Sequence, residues 1–195
     1  FLIGSMTFAS ILRRHGVFTY LSAQMVRLSR GNALALVLLL SLLAWFTAMV
    51  VDEVTSIVYV VMIVLELCKF LKLDPEELIM LMVLATNTGS LALPVGNPIG
   101  VYMAFTAGLD MREFLRYALP LSAACLASLM LVYVVMEAGY LRMLGHQVRS
   151  REAALEAFIT TRIADVSPRE RVARLYGLAL LLLFLATVAA SAQVA

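Results

Sequence analysis

Two polar clusters stand in otherwise apolar surroundings and hold the residue types that could do chemistry. The first is Asp52-Glu53-Val54-Thr55-Ser56; the second lies in the stretch Thr86 to Gly100, which reads Thr-Asn-Thr-Gly-Ser-Leu-Ala-Leu-Pro-Val-Gly-Asn-Pro-Ile-Gly. Carboxylate, hydroxyl and carbonyl oxygens are hard ligands for a small cation such as Na⁺, whereas helix N-termini favour an anion. Covalent chemistry is a poor fit. The sequence shows no Ser/His dyad, no metal triad within the membrane and no paired motif of intramembrane aspartyl proteolysis, so the chain does not read as an enzyme and implies no cofactor beyond Na⁺ or H⁺ as a coupling ion. His15 and His146 sit in basic loops, and Cys68 and Cys125 lie in apolar stretches where they read as small core residues.

The elements that carry these clusters must cross a bilayer. With 63% hydrophobic and 14% charged residues, the 195-residue chain is too apolar for a soluble domain, and its apolar residues fall in segments of spanning length. The run from Leu78 to Leu109 is uncharged, yet Gly, Pro and Asn interrupt its middle. Unwound backbone at that depth leaves amides and carbonyls that hydrocarbon cannot satisfy, so such a break persists only where protein or a wet cavity lines it. Secondary transporters build substrate and ion sites from helices broken in this way.

Around the first cluster, Ala33 to Val51 is uncharged and precedes the acidic segment, and Ile57 to Leu65 follows it. The second stretch is short for a span. The two read as arms of a re-entrant hairpin with a buried acidic tip, or as an ordinary pair of spanning helices with Asp52 and Glu53 in an external loop. A carboxylate within the membrane is costly unless paired or used, which makes Asp52 and Glu53 functional candidates. Around the second cluster, Asp74-Pro75-Glu76-Glu77 predicts a helix start with a capping box, and a helix running to about Thr86. Gly89 is expected to take a left-handed C-terminal conformation, leaving free carbonyls near Asn87 to Gly89. Asn97 then caps a second half-helix with Pro98 in its first turn, reaching Ala107. Asp110 and Glu113 form another capping box, ahead of an uncharged run from Tyr117 to Met136. The two helix starts near Val54 and Pro98 would point positive ends at one cavity, with Thr55, Ser56, Thr88 and Ser90 supplying hydroxyls.

Residues 1 to 12 predict the tail of a spanning helix that ends at Arg13-Arg14. Phe18, Leu21, Met25 and Leu28 recur at helical spacing, which suits either an interfacial helix or an amphipathic linker. Met62, Met80 and Met82 are expected in packing or lipid contact. Arg142 to Arg174 is polar, with an amphipathic face at Leu155, Phe158, Ile159 and Ile163, and Ser167-Pro168-Arg169-Glu170 caps the helix entering the last apolar run. Thirteen of the fifteen basic residues fall on one side of this topology, leaving Arg112 and Arg116 opposite. That asymmetry puts the loop in the cytoplasm of a multi-pass protein, by expectation in the plasma membrane. Phe1 and Ala195 both fall inside apolar runs, so a piece of a longer transporter is expected.

The acidic tip followed by Thr-Asn-Thr-Gly-Ser and Gly-Asn-Pro resembles the ion transporter superfamily, in particular its branch of arsenite permeases, Na⁺/H⁺ antiporters and citrate or dicarboxylate permeases. There the tip commonly reads Asp-Asn-Val-Thr-Thr, and the broken helix reads Asn-x-Gly-Gly followed by Gly-Asp/Asn-Pro-Pro-Asn. The resemblance runs from about Phe1 to the start of the cytoplasmic loop. It implies an all-α integral membrane fold of inverted repeats, each with a re-entrant hairpin and a broken helix, in a homodimer. Residues 1–138 would then be an N-terminal repeat, 139–172 a cytoplasmic linker and 173–195 the first helix of a second repeat. By position, Asp52, Glu53, Thr55, Ser56, Asn87, Thr88, Gly89, Ser90, Gly96, Asn97 and Pro98 would bind substrate or ion, with Thr55, Ser56, Asn87 and Asn97 as Na⁺ ligands. Glu53 departs from the usual Asn, and Ile99-Gly100 from the usual Pro-Asn. The partners implied are the bilayer, a small anion or cation, the second repeat and another copy of the protein, with no nucleic acid. The function implied is ion-coupled transport of an inorganic or carboxylate anion by alternating access; cation/proton antiport is the second reading, and a membrane scaffold the third.

Overall fold

A computed structural model describes residues 17–151 continuously, together with residues 7, 11, 172, 175–183 and 186–187. Among these residues every regular element is helical, and three helices are long and apolar enough to cross a membrane. The fold is that of an all-α integral membrane protein. The expected helix tail at residues 1 to 12, the amphipathic face at Leu155 to Ile163 and the cap at Ser167 to Glu170 lie outside the described residues.

Helix α1 (Val17–Leu28) leads through a turn with positive φ at Arg30 and Gly31 into α2 (Ala33–Val50). The Asn32 side chain starts α2 by accepting from the amides of Leu34 and Ala35. After Val51 and Asp52 the chain returns as α3 (Glu53–Leu71), which ends on Lys72 in a left-handed conformation. Helix α4 (Glu76–Ser90), a single turn at Pro94–Gly96 and α5 (Pro98–Ala107) form the interrupted element. Helix α6 (Met111–Met136) is a membrane-length span, and α7 (Ala138–Ser150) lies beyond it.

Several expectations are corrected. The second arm is not short: α3 has 19 residues because Glu66 and Lys69, which mark an end in the sequence, continue the helix. Helix α4 runs to Ser90 and not to Thr86, and Gly89 stays helical, since only Gly31 and Gly108 among the described glycines have positive φ. Asp74 accepts from the Glu76 amide at 3.2 Å, but no capping box with Glu77 forms. The box at Asp110 and Glu113 does form. On α1, Val17, Ala23 and Val26 are buried, Leu21 and Met25 of the expected face are half-buried against the core clusters, and Leu28 is exposed. The methionines need no correction: Met82 is fully buried in packing, while Met62 and Met80 are exposed.

Helix α6 starts at the Asp110 cap, ahead of the uncharged run from Tyr117, and contains a widened turn at Phe114–Ala118. Pro120 explains it: proline lacks the amide that would bond the Arg116 carbonyl, and its ring would crowd that carbonyl in a regular helix. Helix α7 falls partly in the polar loop, yet Tyr140, Leu144 and Val148 recur every fourth residue and are buried against the core shared by α2, α3 and α4. The Tyr140 hydroxyl donates to the Asp74 carbonyl at 2.8 Å. Burial, ahead of neighbouring groups, pushes that hydroxyl well above its ordinary pKa, so it keeps its proton and remains a donor.

Candidate functional site

The tip between α2 and α3 and the break after α4 meet directly. At the tip, Asp52 is extended and its Oδ1 accepts from the Thr55 amide at 2.8 Å, capping α3. The next carboxylate reaches across: Glu53 Oε2 accepts from Ser90 Oγ at 2.9 Å. Ser90 has one hydroxyl proton, shared between this carboxylate and the Asn87 carbonyl at 3.0 Å. Asn97 completes the junction. Its Oδ1 caps α5 by accepting from the Gly100 amide at 2.7 Å, while its Nδ2 donates to the Ser90 carbonyl at 2.9 Å and contacts Ser90 Oγ at 3.4 Å.

The expected free carbonyls at the end of α4 are all engaged. Asn87 accepts from Ser90, Ser90 from Asn97, and Gly89 from the Ala92 amide at 3.0 Å. Thr88 accepts from Ser122 Oγ of α6, which in turn accepts from Trp45 Nε1 of α2 at 2.8 Å. The Gly89 carbonyl accepts from Leu91 as well as Ala92, whereas a carbonyl that accepts one bond keeps a second lone pair, so engagement fixes the end of α4 without consuming all its ligand capacity. The Thr88 hydroxyl itself turns back to the Ala85 carbonyl at 2.8 Å.

Close approach requires the glycines here. A Cβ on Gly89 would overlap the Trp45 carbonyl oxygen, and one on Gly96 would stand 2.5 Å from the Ser90 carbonyl oxygen and 3.0 Å from that of Ala48. Both glycines bring α2 against the break, so their role is packing and not conformational freedom. Gly100 is similarly tight, with Pro94 Cα at 3.0 Å from such an atom.

Of the predicted residues, Glu53, Ser90 and Asn97 are brought into one hydrogen-bonded chain, with Gly89 and Gly96 packed beside it. Ser56 is buried next to the tip, and among the described residues its hydroxyl has no hydrogen-bond partner. Thr55 contributes its amide to the Asp52 cap. Asn87 and Pro98 are exposed, and the Asn87 side chain joins none of these bonds among the described residues. No described group of three or more His, Cys, Asp or Glu could hold a metal ion, so a cation here would rest on hydroxyl, carbonyl and single carboxylate oxygens.

A family model described as a citrate transporter matches residues 1–194. The chain belongs to the citrate transporter family. An uncharacterized transporter of Mycobacterium tuberculosis is 30% identical over 131 residues, covering 67% of this chain and 30% of the relative. The 46 kDa membrane protein of Mycobacterium leprae is 31% identical over 62% of this chain and 28% of its own length. The P protein of Homo sapiens is 31% identical over 58% of this chain and 14% of its own. The matched segment thus spans less than a third of each of these relatives. No solved structure matches the chain.

Within this citrate transporter family member, sequence reasoning missed Trp45 and Ser122. The signal was faint: a lone indole and a hydroxyl inside apolar runs, 77 residues apart. Both carry donors that must find partners where water is excluded, and that requirement is the one clue the sequence held.

Proposed function

We propose that this chain forms half of the central site of a secondary transporter that moves a carboxylate anion such as citrate, coupled to Na⁺ or H⁺ by alternating access. The observation that carries the reading is the chain from Glu53 through Ser90 to Asn97, which joins a carboxylate at a helical tip to the interrupted helix. Two helix starts converge there, and each is capped by its own side chain, so the anion would be held by the remaining first-turn amides and by the coupling cation. Ser56 supports the same reading: a buried hydroxyl without a partner costs about 1–3 kcal/mol, which a bound ion could offset.

In this reading α2 and α3, although each is long enough to cross a membrane, form a re-entrant hairpin that enters and leaves on one side, with its tip meeting the break partway along the α4–α5 element. The basic residues at the other ends of α2 and α3 would face the cytoplasm of the cell membrane. A second repeat would supply the opposite half of the site, with a homodimer as the assembled form.

The test is uptake of labelled citrate by the full-length protein in proteoliposomes under imposed Na⁺ or pH gradients. Gradient-driven uptake that is lost in Asp52→Asn supports the proposal. A wild-type protein that instead expels Na⁺ when a pH gradient is applied, with no citrate movement, selects cation/proton antiport, the reading that Asp52 and Glu53 favour.

A further inference from the structure

The site has a support on α6 that its motifs do not reveal. Ser122 is completely buried and lies between α2 and α4. Its hydroxyl accepts from Trp45 Nε1 at 2.8 Å and donates its one proton to the Thr88 carbonyl. Because the indole nitrogen can only donate, it fixes the direction of the chain: Ser122 must spend its proton on Thr88. The Thr88 carbonyl is one of the last four of α4, which have no partner inside the helix. The same level holds the tightest backbone contact named above, Gly89 against the Trp45 carbonyl. Hence α4 ends at a place and angle set from outside by one residue of α2 and one of α6.

We propose that Ser122 is a positioning residue for transport: through Thr88 it sets the end of α4, and thereby where Ser90 stands relative to Glu53 and Asn97. It touches neither substrate nor ion. Alanine at this position deprives two buried groups, the Thr88 carbonyl and the Trp45 indole, while removing only one oxygen from the packing. The end of α4 would then drift, and binding would weaken in protein that still folds.

This inference rests on the transport reading, so its test has one arm that needs no transport. In the first arm, citrate uptake by the full-length protein is compared for wild type, Ser122→Ala and Ser122→Thr. A purely structural defect lowers the number of working molecules and so Vmax at constant KM. The positioning role predicts KM raised about tenfold in Ser122→Ala with Vmax within about twofold, because both buried hydrogen bonds of the Ser122 hydroxyl are lost and part of that loss reaches the site. Ser122→Thr, which keeps the hydroxyl, restores KM. In the second arm, hydrogen exchange of the amides from Leu91 to Asn97 is measured without ligand, and faster exchange is expected in Ser122→Ala and in Trp45→Phe but not in Ser122→Thr. Unchanged exchange in that segment overturns the proposal, as does a KM that stays constant while Vmax falls. If wild-type protein moves no citrate, the transport reading fails and the exchange arm alone decides the role of Ser122.

Discussion

Gly89 on α4 lies so close to Trp45 on α2 that no side-chain carbon fits between them: a Cβ at Gly89 would overlap the Trp45 carbonyl oxygen. The obstacle is backbone, so it cannot swing aside. Gly89→Ala should therefore push the helices apart and destabilise the protein by about 3 kcal/mol or more, toward the upper end for overpacking. Gly139→Ala is the control. It lies in helix α7 with nothing within 4 Å of the added carbon and should be neutral or stabilising by about 0.5–1 kcal/mol. Unfolding in mild detergent, followed by circular dichroism, separates the two.

Asn97 performs two tasks with one amide, capping α5 and holding the Ser90 carbonyl. Asn97→Ala loses both and should cost about 2–4 kcal/mol, the sum of a cap and a buried acceptor left without a partner. Asn97→Asp keeps the capping oxygen but loses the donor, so it should fall between wild type and alanine. If Asn97→Asp unfolds like wild type, the bond to Ser90 contributes nothing; if it unfolds like Asn97→Ala, the cap contributes nothing.

Glu53 is the residue through which the tip touches the break. Glu53→Gln retains an oxygen to accept from Ser90 but can neither hold a proton nor balance a cation, so folding should survive while gradient-driven accumulation of citrate falls at least tenfold. Ser90→Ala, by contrast, removes the contact itself and should also lower stability by about 1 kcal/mol. Equal coupling ratios in wild type and Glu53→Gln, measured as citrate accumulated per unit of imposed gradient, would remove Glu53 from the mechanism.

Tyr140→Phe tests the docking of α7 apart from the site. Loss of the bond to the Asp74 carbonyl should reduce stability by about 1 kcal/mol and leave the KM for citrate unchanged, because the contact lies at the opposite end of α4 from Ser90. A changed KM would mean that α7 acts on the site.

Much of the local structure was legible because its causes are local. Asn97-Pro98 announces a helix start doubly, by a capping residue type and by a proline suited to the first turn. Asp110 with Glu113 makes its box from four consecutive residues. The failures arise where distant parts of the chain decide. Gly89 satisfies a local rule for ending helices, but the α2 backbone arriving beside it gives that glycine another use. Glu66 and Lys69 look like a boundary, yet α3 passes through them because its other faces are buried on Val64, Leu67, Cys68 and Leu71. The partnership of Trp45 with Ser122 has no sequence pattern at all, only the demand of a buried indole for an acceptor.

The end of α4 closes on groups from the protein itself, three of them side chains: Ser90, Ser122 and Asn97. A discontinuity made this way keeps its shape in an empty transporter. Arriving cargo would find a mould already cast and lose little freedom in ordering it. More of the energy of each contact would then go into holding the cargo, and less into shaping the place that receives it.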